Sequence, residues 1–240
     1  MNIILTIRAR SLGDFLMESG DRVVIVTDRS EYPEIAFSTF ILVLSLTGTV
    51  MMFENTESTT GLMAAGLENL KFFTVLSNIF CGIVAAVRIV FFIFSKKFPV
   101  ITKMMSASAV GLTFLIIAAF LQPLYPDLNL YEGGNRYFHL IVPLLAMAEF
   151  IIFRAKEKIP FRYTFYCAAL SLAYGIFYLG NILINGIGTW PETNDWYGFL
   201  NWGFPVGIAI FAGVVLMNFG IACLLRFLNN LIHRRVYSES

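Results

Sequence analysis

The chain is predicted to be an all-α integral membrane bundle of six transmembrane helices, and three observations predict it. Of its 240 residues 58% are hydrophobic and only 14% charged, whereas a globular domain carries roughly 25% charge and about 45–50% apolar residues. The mean hydropathy is +0.73, so polar side chains are too scarce to cover a water-exposed globule of this size, and lipid must cover it. Third, six apolar runs each come near the roughly 20 residues that a helix needs to cross a bilayer core of about 30 Å.

The runs cover 35–53, 70–94, 104–121, 137–153, 161–184 and 203–228. Residues 1–34 carry charges throughout and lack the apolar core of a signal peptide, so they are expected to remain as a cytoplasmic arm. Within that arm 1–8 and 22–27 are short β-branched runs, and 11–19 has the pattern of an amphipathic turn. Residues 229–240 are expected to form a cytoplasmic tail.

Lys and Arg set the direction, because positively charged loops stay cytoplasmic. Arg8, Arg10, Arg22, Arg29, Lys96, Lys97, Lys103, Arg154, Lys156, Lys158, Arg162, Arg234 and Arg235 fall on one side, and Arg136 alone on the other. Thirteen against one predicts that both termini are cytoplasmic in a multi-pass cell membrane protein, a bacterial inner membrane or plasma membrane being the expected location. Trp190, Trp196, Tyr197 and Trp202 then fall in the last outer loop, where amphipathic rings favour the headgroup level.

Several function classes drop out. The 17 basic and 16 acidic residues form no clustered basic face, so no nucleic acid partner is expected. Cys81, Cys167 and Cys223 lie inside apolar runs and draw neither a disulfide framework nor a CxxC site. No HxxxH pair, HExxH, GxSxG elbow or Walker loop is present, so no metal and no cofactor is expected. Spans two, four and six share no motif of the kind an inverted-repeat transporter shows.

Polar groups inside spans are expensive and hence functional candidates. Near the start of the second span Thr74, Ser77 and Asn78 stand at i, i+3 and i+4, on one helical face, with Lys71 a turn above. His139, one of two histidines, stands near the start of the fourth span. Both spans begin outside, Thr74 about five residues in and His139 about three, so at about 1.5 Å per residue their depths agree within roughly a turn. A hydroxyl needs a base to become a nucleophile, and histidine suits that task. Thr74 and His139 therefore form a possible nucleophile and base. The competing reading is structural, with the threonine bonded back to its own helix and the histidine bridging helices.

Pro143 lacks an N–H and is expected to free the carbonyl of residue i−4, His139, opening the helix there. Glu149 is expected to be the one acid buried in a span. It lies about 15 Å beyond His139, too far to orient the ring, and is expected to be protonated or bonded to Asn218 or a hydroxyl as a clamp. Arg88 and Arg226 are expected to snorkel. Tyr178, Asn181 and Asn185 form one stripe of the fifth span, as glue between helices or as donors to a substrate carbonyl. Gly203 and Gly207 read as a small-xxx-small helix contact.

The run Lys71-Phe72-Phe73-Thr74-Val75-Leu76-Ser77-Asn78 resembles the K-(F/Y)-(F/L)-T segment of the androgen-induced-gene family of six-span membrane proteins, and is closer still to the F-T-x-x-S-N version of its bacterial relatives. His139 followed by Pro143 and Glu149 resembles the family's fourth helix. The stretch 174–186, followed by Asp195-Trp196-Tyr197-Gly198-Phe199, is similar to its fifth helix and outer aromatic loop. The resemblance covers about 68–225 and implies a hydrolase of fatty acid esters of hydroxy fatty acids, with Thr74 as nucleophile and His139 as its partner.

The leading expectation is thus hydrolysis of a membrane lipid or fatty-acyl ester in an outer-leaflet pocket. Lys71, Asn78 or Asn181 would stabilise the oxyanion, and Ser77 and Tyr178 are further candidates to contact substrate. A non-catalytic lipid-binding or small-solute transport protein is the alternative. The topology is testable directly: a cytoplasmic reporter fused after Ser240 should be active, and one inserted near Asn194 should be exported. A cytoplasmic signal from the Asn194 fusion would turn the pocket to the other leaflet.

Overall fold

A computed structural model describes residues 5–6, 24–25, 31–54, 64–127, 129–154, 158–189 and 192–237. Six helices are long and apolar enough to cross a membrane: α1 (Tyr32–Glu54), α2 (Phe73–Ile93), α3 (Val100–Leu124), α4 (Gly133–Phe153), α5 (Arg162–Asn185) and α6 (Phe204–Tyr237). Two short antiparallel ladders accompany them. β1 (Leu5–Thr6) pairs with β2 (Val24–Ile25), joining the two β-branched runs of the arm. β3 (Gly188–Thr189) pairs with β4 (Glu192–Thr193) in the loop between α5 and α6. The expected amphipathic turn at 11–19 lies outside the described residues.

The spine of the bundle is α3. Its apolar window is 56% buried, and it packs on α2, α4, α5 and α6. The sequence Ser106-Ala107-Ser108-Ala109-Val110-Gly111 explains why, because small side chains let several helix backbones approach at once. All of these residues are buried. Ser108 Oγ donates to Asn218 Oδ1 on α6 at 2.6 Å, and Asn218 Nδ2 donates to Cys167 O at 3.0 Å and Ser171 Oγ at 3.1 Å on α5. One amide thereby ties three helices.

The helix bounds depart from the apolar runs wherever charge is buried. α1 starts at Tyr32 rather than 35 because Glu34 points inward, where it accepts from Arg88 Nε at 3.0 Å and also from Arg154 Nη2. Arg88, expected to snorkel, is 2% exposed and donates in addition to Glu31 at 2.5 Å. Arg226 is likewise engaged, donating from Nε to Ile159 O at 3.0 Å. Glu149 is therefore not the one buried acid of the spans. α6 runs unbroken past position 228 to Tyr237, at about 1.5 Å per residue well beyond the bilayer core.

Lys103 is the clearest correction. Assigned to a loop by its charge, it sits in α3, 3% exposed, and its Nζ donates to Glu149 Oε2 at 2.5 Å and to Ser38 Oγ at 3.0 Å. Ser38 Oγ donates to Glu149 Oε1 at 2.5 Å. The clamp expected of Glu149 thus uses a hydroxyl and a lysine rather than Asn218. Removing Lys103 and Arg154 from the inner-loop tally leaves the Lys/Arg asymmetry standing.

Breaking a buried ion pair on one side leaves an uncompensated charge and costs about 3–5 kcal/mol, whereas replacing both partners by apolar groups is often neutral. Lys103→Met alone should therefore lower the thermal midpoint in detergent sharply, and Lys103→Met with Glu149→Leu should recover most of the loss. A double variant as unstable as the single one would show that the triad contributes more than mutual neutralisation.

Candidate functional site

The cavity that brings the predicted residues together lies at the end of the bundle where α1 and α3 finish and α2 and α4 begin. It has a volume of about 60 Å³ and is lined by Met52, Ala64, Asn69, Phe72, Thr74, Val75, Ile117, Leu121, Leu130, Asn135, His139 and Tyr197. Thr74 and His139 therefore line one cavity.

Thr74 is positioned by an abrupt change of backbone. A 3-10 turn over Gly66–Lys71 ends at Phe72, which is extended at φ −86 and ψ 133, and α2 starts at Phe73. The 3-10 turn is held by Asn69, whose Nδ2 reaches the carbonyls of Met52 at 2.9 Å, Ala64 at 2.9 Å and Gly66 at 3.1 Å. Thr74 thus sits in the first turn of α2, where backbone N–H groups have no helical acceptor. Its hydroxyl donates to no group among the described residues, whereas Thr39, Thr47 and Thr49 each bond back to the carbonyl four residues earlier at 2.7–2.9 Å.

Across the cavity, α4 is interrupted by a π turn over Tyr137–Ile141, in which Val142 N–H bonds Tyr137 O. α3 carries a second π turn over Ile117–Leu121 on the same cavity. His139 is buried, and its Nδ1 lies 2.5 Å from Leu130 O. A carbonyl only accepts, so Nδ1 carries the proton and Nε2 keeps the free lone pair. The orienting partner is thus a main-chain carbonyl rather than an acid. The opening expected at His139 is a π turn, and the carbonyl it leaves to a side chain is that of Phe138, which takes Asn78 Nδ2 at 3.1 Å.

Other candidates do not reach the cavity wall. Lys71 lies outside α2 and faces Glu68 at 3.7 Å. Ser77 Oγ lies 3.0 Å from Thr113 Oγ1 and donates to Thr74 O at 3.0 Å. Asn78 Nδ2 also donates to Thr74 O at 2.8 Å. Tyr178 is buried and donates to Asp195. Asn181 donates to Asn194 at 3.1 Å and accepts from Asn185 at 2.8 Å. Gly203 and Gly207 do not join two helices: Gly203, at φ +88, turns the chain into α6, and a Cβ on Gly207 would lie 2.4 Å from Leu200 Cδ2 and 2.9 Å from Phe199 O.

Residues 194–203 instead cap the site. Asp195 accepts from Phe199 N–H at 2.9 Å and Leu200 N–H at 2.8 Å. Trp196, expected among headgroups, is buried, and its Nε1 donates to Tyr174 Oη at 3.1 Å while Tyr174 donates to Lys71 O at 2.6 Å. Trp202 remains exposed, and Trp190 lies outside the described residues. Tyr197 Oη accepts Phe73 N–H at 2.9 Å and faces Thr74 N–H. Sequence reasoning missed Asn69, Asn135 and Tyr197 as wall residues. Tyr197 carried a signal, since it lies within the aromatic loop on which the resemblance rests.

Six helices of this length and hydropathy, with a small cavity at one end, give the fold of a multi-pass membrane protein. Compared with protein-family models, curated proteins and solved structures, the chain matches none.

Burial pushes the Tyr197 phenol up to about 12 from an ordinary value of 10.0. The unfolded chain then loses this proton first, so the stability it supplies is complete below about pH 10 and is lost as pH rises toward about 12. Thermal unfolding across that window should steepen for the wild type and flatten for Tyr197→Phe. Equal slopes would separate Tyr197 from alkaline unfolding.

Proposed function

We propose that the chain hydrolyses a lipid ester of the fatty-acyl class in this cavity, with Thr74 Oγ1 as nucleophile and His139 Nε2 as base. The observation that carries the reading is that Thr74 and His139 line one cavity while the Leu130 carbonyl engages His139 Nδ1. That bond leaves Nε2 as the ring atom able to take a proton. The resemblance to the androgen-induced-gene family points to the same two residues.

In the first step Nε2 accepts the Thr74 proton as Oγ1 bonds to the ester carbon. The C–O bond to the alcohol then breaks, and the imidazolium returns the proton to the leaving alkoxide. Water, deprotonated by the same nitrogen, releases the acid and restores Thr74. The oxyanion is stabilised by the N–H of Val75, which the start of α2 leaves without a helical acceptor, in place of Lys71, Asn78 or Asn181. At about 60 Å³ the cavity is smaller than the roughly 150 Å³ that accommodates benzene. It therefore admits the ester group and water, and the acyl chain lies outside against exposed Leu76, Phe120 and Leu124. With both termini cytoplasmic, this end of the bundle faces the outer leaflet.

Purified protein in detergent should hydrolyse a fluorogenic medium-chain acyl ester, with Thr74→Ala abolishing turnover and His139→Ala lowering it about 10²–10⁴-fold. The double variant should be little worse than Thr74→Ala, and Thr74→Ser should retain activity. A fluorophosphonate should label Thr74. Wild-type turnover equal to that of Thr74→Ala across several acyl lengths would leave the lipid-binding or solute-transport reading as the better account.

A further inference from the structure

The π turn of α4 creates a need that a neighbouring helix meets. In an α-helix the carbonyl of Phe138 would accept Val142 N–H. Here Val142 N–H is given to Tyr137 O, and in the same i+5 register the next donor to Phe138 O would be residue 143. That residue is Pro143, which has no N–H. Phe138 is fully buried, so its carbonyl has no water to turn to, and an unsatisfied carbonyl in hydrocarbon is strongly unfavourable.

Asn78, on α2, supplies the donor. Its Nδ2 gives one hydrogen to Phe138 O at 3.1 Å and the other to Thr74 O at 2.8 Å. One amide nitrogen therefore bridges the main chain of Thr74 to the residue next to His139. Asn78 is fully buried, and its Oδ1 has no partner among the described residues, so its two N–H donors are the part of the group in use. The approach of α1 is equally tight beneath this joint: a Cβ on Gly48 would lie 2.6 Å from Phe138 Cε1. The π turn is thus held from two sides.

We propose that Asn78 is a positioning residue that staples the Thr74 turn of α2 to the π turn of α4, setting the separation of Thr74 and His139 by satisfying the carbonyl that Pro143 cannot. It replaces the oxyanion role considered for Asn78 from sequence. As a statement about catalysis it rests on the hydrolase reading; as a statement about the π turn it does not.

The test has two arms on the same variants: Asn78→Ala, Pro143→Ala and both together. In the stability arm, Asn78→Ala lowers the thermal midpoint, and the double variant loses less than the sum of the two, because alanine at 143 restores an N–H for Phe138 O. Strict additivity, or a double variant that fails to fold where Pro143→Ala folds, would overturn the staple. In the kinetic arm, Asn78→Ala, or the double variant if the single one does not fold, lowers kcat about 10²-fold with little change in KM, the size expected for a misplacement near 1 Å. A kcat equal to wild type per folded molecule would overturn the positioning role. A wild type without turnover would remove the hydrolase reading, and the stability arm would still decide the staple.

Discussion

Within hydrocarbon every main-chain N–H and C=O needs a partner inside the protein, and this bundle answers that demand with amides and phenols wherever its helices break. Asn69 takes three carbonyls around the 3-10 turn before α2. Asn78 takes Thr74 O and Phe138 O. Tyr174 takes Lys71 O, and Arg226 and Asn230 both take Ile159 O. These polar side chains follow the irregular backbone, which in α2, α3 and α4 collects around the cavity, whereas Ile159 lies at the opposite end, where α5 begins. The same constraint forbids such breaks on a lipid-facing surface, and those of α2, α3 and α4 surround the cavity that Thr74 and His139 line.

The far end is organised by charge. Glu34 joins Arg88 and Arg154, tying the start of α1 to the ends of α2 and α4, while Lys103, Glu149 and Ser38 bind α3, α4 and α1 a turn further in. Between these clusters and the polar residues near the cavity lies an apolar layer that includes Ile41, Val110, Val142 and Ala146. Removing one partner of a buried ion pair strands a charge, so each pair favours the helix arrangement that keeps it whole. A bundle pinned by charge at one end can hold a narrow, irregular cavity at the other.

The spans and the joint placement of Thr74 and His139 were legible because they rest on hydropathy and helical spacing, which are properties of the local chain. What escaped was set by partners distant in sequence. Lys103 reads as a loop residue until Glu149, 46 positions on, is seen beside it, and Glu34 ends an apolar run only because Arg88 is out of view. Asn69 and Tyr197 reach the cavity through segments that are not spans, where periodicity says nothing, and Asn135 lies in the first turn of α4, ahead of the apolar run. Pro143 announced a break in α4, but which carbonyl it freed depended on a π register that no propensity encodes.

The bond from His139 to Leu130 O has a consequence for how this site tolerates change. Where an acid side chain orients a histidine, a single codon change can remove it. Here the acceptor belongs to the main chain, so replacing the residue at 130 leaves the oxygen in place as long as the loop keeps its path. The vulnerability passes from amino-acid identity to segment length: an insertion or deletion between α3 and α4 would release the ring where a point substitution would not.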